Sequence, residues 1–90
     1  MPNTPAAIAR GMTVACAGPG VTDEHREVCE ALLGAVGEVA WIEDEAQMDA
    51  VTAVSGSGPA YVFHLAEALT DAGIASGLDP LLAARLAEKT

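Results

Sequence analysis

The stretch Asp49-Ala50-Val51-Thr52-Ala53-Val54-Ser55-Gly56-Ser57-Gly58-Pro59-Ala60-Tyr61 limits what this chain can fold into more than any other part of it. Its centre, Ser55 to Ala60, is built almost wholly of small residues. Gly56 and Gly58 permit backbone conformations or close approaches that a Cβ would block. Pro59 is preset for the first turn of a helix, and Ser57 stands just ahead of it as a side-chain cap. A helix that opens on small residues and free N–H groups can take an anion or let another backbone come close. Before this stretch the patterns are those of strands and a helix; after it they are helical only.

In chain order, Pro2 and Pro5 make residues 1–5 an extended loop, and Ala6 to Arg10 a short turn closed by Gly11. Met12 to Ala17 reads as a strand stopped by Gly18-Pro19-Gly20. Thr22 caps a helix over 23–36, with Asp23 and Glu24 in its first turn and Val28, Leu32, Ala35 and Val36 recurring along one face. Gly37 is its C′ residue, and Glu38 to Ile42 is a second strand. Strand, helix, strand with short links is the grammar of a βαβ unit in a parallel sheet, and two strands alone leave such a sheet mostly edge. This half therefore reads as the end of a larger sheet.

The acidic run Glu43-Asp44-Glu45 opens a short helix that reaches Val54. Pro59 to Ala72 is a long helix stopped by Gly73, with a linker over 74–78. Asp79-Pro80 starts a last helix that carries Leu81, Leu82, Ala83 and Leu86 and meets the end of the chain without a stop signal. Both ends read as cut.

Ninety residues make at most one small domain, and a chain of this size buries only about 60–65% of its unfolded surface. The content is 51% hydrophobic with only 3% aromatic residues, so the apolar mass is Ala, Val and Leu, and some of it is expected to be buried against something else. Thirteen acidic against four basic residues give a net charge of −9, which argues against nucleic acid and anionic membrane as partners. No apolar run approaches the roughly 20 residues of a membrane span, and no leader is visible. The expectation is a soluble, cytoplasmic protein. Cys16 and Cys29 form no CxxC and read as buried or half-buried free thiols; His25 and His64 have no ligand spacing, so no metal is expected.

Gly18-Pro19-Gly20 and Gly56-Ser57-Gly58 each begin like a dinucleotide fingerprint, but Asp23 and Tyr61 stand where its third small residue belongs. Nothing marks a nucleophile elbow. Ser57 reads as a cap or packing residue, His64 as a partly buried structural histidine, His25 as solvent-facing, and Trp41, Tyr61 and Phe63 as core or interface residues.

The strings Met1-Pro2-Asn3-Thr4-Pro5-Ala6, Gly11-Met12-Thr13, Asp49 through Tyr61, and Asp71-Ala72-Gly73-Ile74 with Gly77-Leu78 resemble the pyrroline-5-carboxylate reductases, in order and without gaps from Met1 to Thr90. That resemblance implies an α/β part followed by an all-α part. Residues 1–43 would be the end of a Rossmann-type NAD(P)-binding domain, and 44–90 the first helices of a helical dimerisation domain. The implied reaction is NAD(P)H-dependent reduction of 1-pyrroline-5-carboxylate to L-proline, the last step of proline biosynthesis, by a homodimer or higher oligomer. The family's main dinucleotide motif and its Ser-Pro-Gly-Gly-Thr substrate loop have no counterpart here. The resemblance therefore implies a fragment with no catalytic residue of its own and no useful turnover alone.

Two places are implied to reach the active site. The loop Met1 to Pro5 would pass beside nicotinamide and substrate, with Asn3 offering an amide and Thr4 a hydroxyl; closing a Pro-rich turn by local hydrogen bonds is their alternative role. Glu45 matches an acid that faces the substrate ring, where an anion favours the charged iminium; Glu43 and Asp44 lie within a register step of it. The competing reading is a catalytically inactive helical interaction module derived from that family. On either reading the stretch 49–61 becomes a domain junction rather than an anion site.

Overall fold

The computed structural model describes residues 1–90. Two compact units divide the chain, Met1–Pro59 and Ala60–Thr90.

The first unit opens on a 3₁₀-helix, Thr4–Ile8. Pro5 is preset for a helical first turn, so the turn begins earlier than expected and takes in part of what reads as an extended loop. Ala9, not Gly11, closes it, in the left-handed region at φ 56°, with its N–H donating to the Ala6 carbonyl. Strand β1 (Gly11–Cys16) and strand β2 (Gly37–Ile42) then pair in parallel, in the register Gly11↔Gly37 to Cys16↔Ile42. Between them runs α1 (Asp23–Gly34). The expected βαβ unit is present.

Both strands start on glycine for a steric reason. Gly37 sits at φ 150°, and a Cβ there would fall on the Gly11 carbonyl; a Cβ on Gly11 would come within 2.8 Å of that of Ala6. Gly37 is thus the first residue of β2 rather than the C′ residue of α1, whose last turn ends at Ala35. The other edge of β1 is paired too: the Met1 amine donates to the Val14 carbonyl at 2.7 Å, and the Val14 N–H donates to the Met1 carbonyl at 3.0 Å. Gly11, Thr13 and Val14 are the buried residues of this unit.

The apolar stripe of α1 does not form the packed face. Val28 and Leu32 are 60% and 70% exposed, while Arg26 and Leu33 are the half-buried residues. Trp41 on β2 explains this. Its Nε1 donates to Glu30 Oε1 at 2.7 Å and the Arg26 guanidinium lies 4.9 Å above its ring, so α1 docks through charged side chains on the indole. A two-stranded sheet offers too little surface to cover the stripe as well.

After β2 come a 3₁₀ turn, Glu45–Gln47, the short α2 (Met48–Val51) and a π-helical turn, Thr52–Gly56, where an unbroken helix to Val54 is expected. Pro59 gives the reason: a proline ring clashes with the carbonyl four residues back, here Ser55, and removes its donor. The backbone widens instead, and the Ser57 N–H reaches the Thr52 carbonyl at 2.8 Å.

Helix α3 (Gly58–Ala75) opens on this turn, and α4 (Pro80–Lys89) lies in the second unit. Gly73 does not stop α3. The left-handed residue is Gly77 at φ 95°, with Leu78 N–H donating to the Gly73 carbonyl and Gly77 N–H to the Ile74 carbonyl, a Schellman ending. Gly73 is small because Ala83 of α4 packs there; a Cβ would stand 3.1 Å from that of Ala83, the one buried residue of this unit. Asp79 caps α4 as expected, accepting from Leu81 and Leu82.

Apolar side chains surround most of α3 and remain uncovered, including Tyr61, Val62, Phe63 and Leu65 at 60–64% exposure. A helix apolar nearly all round is one made to be buried. Tyr61 and Phe63 are therefore not core residues of this chain. No helix is long and apolar enough to cross a membrane.

Candidate functional site

Asn3 is the node of the first unit. Its Oδ1 accepts from the Met12 N–H of β1 at 2.8 Å, and its Nδ2 donates to the Ser55 carbonyl of the π turn at 3.1 Å. These bonds join three segments far apart in sequence, so the local turn-closing role considered for Asn3 is not what its side chain does. A primary amide has two donors and an acceptor with two lone pairs. One N–H and one lone pair of Asn3 stay free for a further partner.

Met12 and Ser55, the two partners of Asn3, also line an apolar hollow of about 350 Å³ with Val14, Ala50, Val51 and Val54. The hydroxyls of Thr52 and Ser55 are turned inward onto their own helix, donating to the Met48 and Val51 carbonyls at 2.9 and 3.2 Å. Of the two, Ser55 lines the hollow; with its hydroxyl spent, the wall offers hydrocarbon, and polar chemistry must come from the rim.

Thr4 follows Asn3 as the first residue of the 3₁₀-helix and is exposed. Glu45 is exposed as well, first in its own 3₁₀ turn, which Asp44 caps by accepting from the Ala46 N–H at 2.9 Å. Of the neighbouring acids, Asp44 is thus committed to the backbone, and Glu43 lies 3.8 Å from the Arg26 guanidinium. Glu45 keeps an uncommitted carboxylate. No hydrogen bond ties it to Asn3 or Thr4.

Other side chains fall into place or out of it. His64 is not buried: its side chain is 86% exposed and lies 3.9 Å from Glu67. His25 is exposed, and its Nδ1 also accepts from the Thr22 N–H while Thr22 accepts from the His25 N–H, a reciprocal cap. Cys16 is a half-buried free thiol; Cys29 is free and exposed. Ser57 contributes its backbone N–H to the π turn. Gly56 and Gly58 are not required by this chain's own packing. A Cβ on Gly56 would meet ordinary contacts at 3.4 Å and beyond, one on Gly58 nothing within 4 Å, and neither has positive φ.

Gly18-Pro19-Gly20 does lie between β1 and α1, yet it does not fit a pyrophosphate. The helix it leads into carries Asp23 and Glu24 in its first turn, and Thr22 already occupies the N–H of His25. Two carboxylates where a diphosphate would sit repel it.

The role of Ser55 was the feature hidden from sequence reasoning. Its signal is the spacing Ser55 to Pro59, four residues, which leaves a helical carbonyl without a donor.

Comparison with known proteins places the chain. The family described as pyrroline-5-carboxylate reductase dimerisation matches residues 45–90. Over all 90 residues the chain is 51% identical to a pyrroline-5-carboxylate reductase of Pseudomonas aeruginosa and 49% identical to one of Arabidopsis thaliana, spanning 33% and 32% of their lengths. Among solved structures, the Plasmodium falciparum pyrroline carboxylate reductase with NADP bound superposes with a TM-score of 0.91 at 35% identity, covering 99% of this chain and 36% of that one. The Coxiella burnetii pyrroline-5-carboxylate reductase gives 0.89 at 39% identity, covering 99% and 33%. The chain thus spans about a third of the length of the relatives it matches. A parallel βαβ unit followed by helices, with the family match covering its second half, makes this chain a member of the pyrroline-5-carboxylate reductase dimerisation family.

Proposed function

We propose that this chain serves as part of a pyrroline-5-carboxylate reductase, reducing 1-pyrroline-5-carboxylate to L-proline with NADH or NADPH. The observation that carries the reading is the likeness to enzymes of that name along the whole chain. Residues 1–43 would be the last part of the Rossmann-type domain, and 44–90 the first helices of the dimerisation domain. The exposed apolar surface of α3 and α4 would be covered by a second copy, for which Gly56 and Gly58 leave room. In the same reading the protein is cytoplasmic, and a net charge of −9 opposes its binding to nucleic acid or anionic membrane.

In this reading the substrate contacts are Glu45, Asn3 and Thr4. Glu45 sets its carboxylate towards the substrate ring and favours the cationic iminium, the form that accepts a hydride. Asn3 uses its remaining amide N–H and lone pair on the nicotinamide side, and Thr4 its hydroxyl. The diphosphate of a dinucleotide has no place among the residues of this chain, so no step is assigned to it here. NAD(P)H bound elsewhere in such an enzyme would supply the hydride.

The test is a chimera in which this chain replaces the matching third of the Pseudomonas aeruginosa relative. It is expected to oxidise NADH or NADPH in the presence of pyrroline-5-carboxylate, whereas residues 1–90 alone turn nothing over. Glu45→Ala in the chimera is expected to raise KM on the order of tenfold, the worth of one hydrogen-bonded charge. A chimera that folds and dimerises but has no activity would favour the inactive interaction module instead.

A further inference from the structure

In an uninterrupted α-helix the Ser55 carbonyl would accept from the N–H of residue 59, and residue 59 is proline. The carbonyl is therefore deprived of its helical donor by the sequence itself. A half-buried carbonyl left without a partner costs about as much as a lost hydrogen bond. The π turn at Thr52–Gly56 relieves the clash with the proline ring but supplies no donor to Ser55. The donor comes from the far end of the unit, as Asn3 Nδ2 at 3.1 Å.

We infer that Asn3 is a positioning residue, a side-chain cap across 52 positions that replaces the N–H missing at Pro59 and so holds the loop bearing Thr4 against the π turn. Its second bond, from the Met12 N–H at 2.8 Å, fixes the amide plane, so Nδ2 faces Ser55 rather than rotating away. The Met1–Val14 pair holds the chain two residues upstream on the same strand. Asn3 and Pro59 are thus a coupled pair, although neither side chain needs to touch the other. The consequence for Thr4 rests on the reading of the loop as part of the active site; the coupling itself does not, and is measured without turnover.

A double-mutant cycle on the 90-residue chain tests it, using Asn3→Ala, Pro59→Ala and the pair. Asn3→Ala strips both the Met12 and the Ser55 bonds, and the Met12 loss is common to both backgrounds. Once position 59 has an N–H, Ser55 regains a backbone donor. The cost of Asn3→Ala in the folding equilibrium constant is therefore expected to be about tenfold smaller in the Pro59→Ala background. Where Asn3→Ala alone is unfolded, the double variant is expected to fold. In parallel, the Ser55 carbonyl carbon resonance is expected to move on Asn3→Ser and to stay in place on Thr4→Ala. Equal costs in the two backgrounds, a double variant no better folded than Asn3→Ala, or a Ser55 resonance unmoved by Asn3→Ser would each overturn the inference.

Discussion

Gly37 carries the heaviest steric demand in the chain. A methyl group there meets the Gly11 carbonyl head on, at a φ that side chains avoid, so Gly37→Ala is expected to cost roughly 3 kcal/mol or more. Gly77→Ala forces a Cβ into the left-handed ending of α3 without any clash, and about 1–2 kcal/mol is expected. Urea unfolding of the two variants against the parent checks both the order and the gap. The glycines also mark where reading from sequence runs out. Gly73 reads as the helix stop, yet the helix runs through it to the left-handed Gly77, and Gly73 is small because Ala83 packs against it. That contact joins residues ten positions apart in sequence, and no local pattern encodes it.

Helix α1 shows the same limit one level up. Its start was legible because capping is local: Thr22, Asp23 and Glu24 stand where the backbone needs them. Thr22→Ala is expected to lower stability by about 1 kcal/mol and to increase hydrogen exchange at the His25 amide, which loses its acceptor. Its packed face was not legible. Periodicity reports which side of a helix is apolar, but not whether the chain holds enough sheet to cover that side. Here the indole of Trp41 recruits Arg26 and Glu30, and the apolar stripe faces outward. The candidate site divides along the same line. Residue type and family pattern pick out Asn3, Thr4 and Glu45, yet the engagement of Asn3 with Ser55 depends on a proline whose effect is felt four residues away.

For the molecule as a whole, the numbers favour company. Only Gly11, Thr13, Val14 and Ala83 are buried, while leucines, valines and aromatic rings of α3 and α4 lie open. A net charge of −9 opposes association at low ionic strength, so sedimentation is expected to show self-association strengthening as salt is raised through the physiological range. Gly58→Ala separates folding from association. Inside this chain the added methyl meets nothing within 4 Å and restricts the unfolded backbone, worth roughly 0.4–1 kcal/mol, so stability at high dilution should hold or rise. If a second copy packs closely at that position, the same methyl weakens the dimer. The single tryptophan and the single tyrosine fall on opposite sides of the unit boundary, Trp41 within Met1–Pro59 and Tyr61 within Ala60–Thr90. With the indole under a guanidinium and donating to a carboxylate, its emission reports the melting of the first unit, while the absorbance of the uncovered Tyr61 reports solvent leaving the second when a further copy covers it. The chain thus carries two native chromophores, one for each half, that can be followed in the same cuvette without a label.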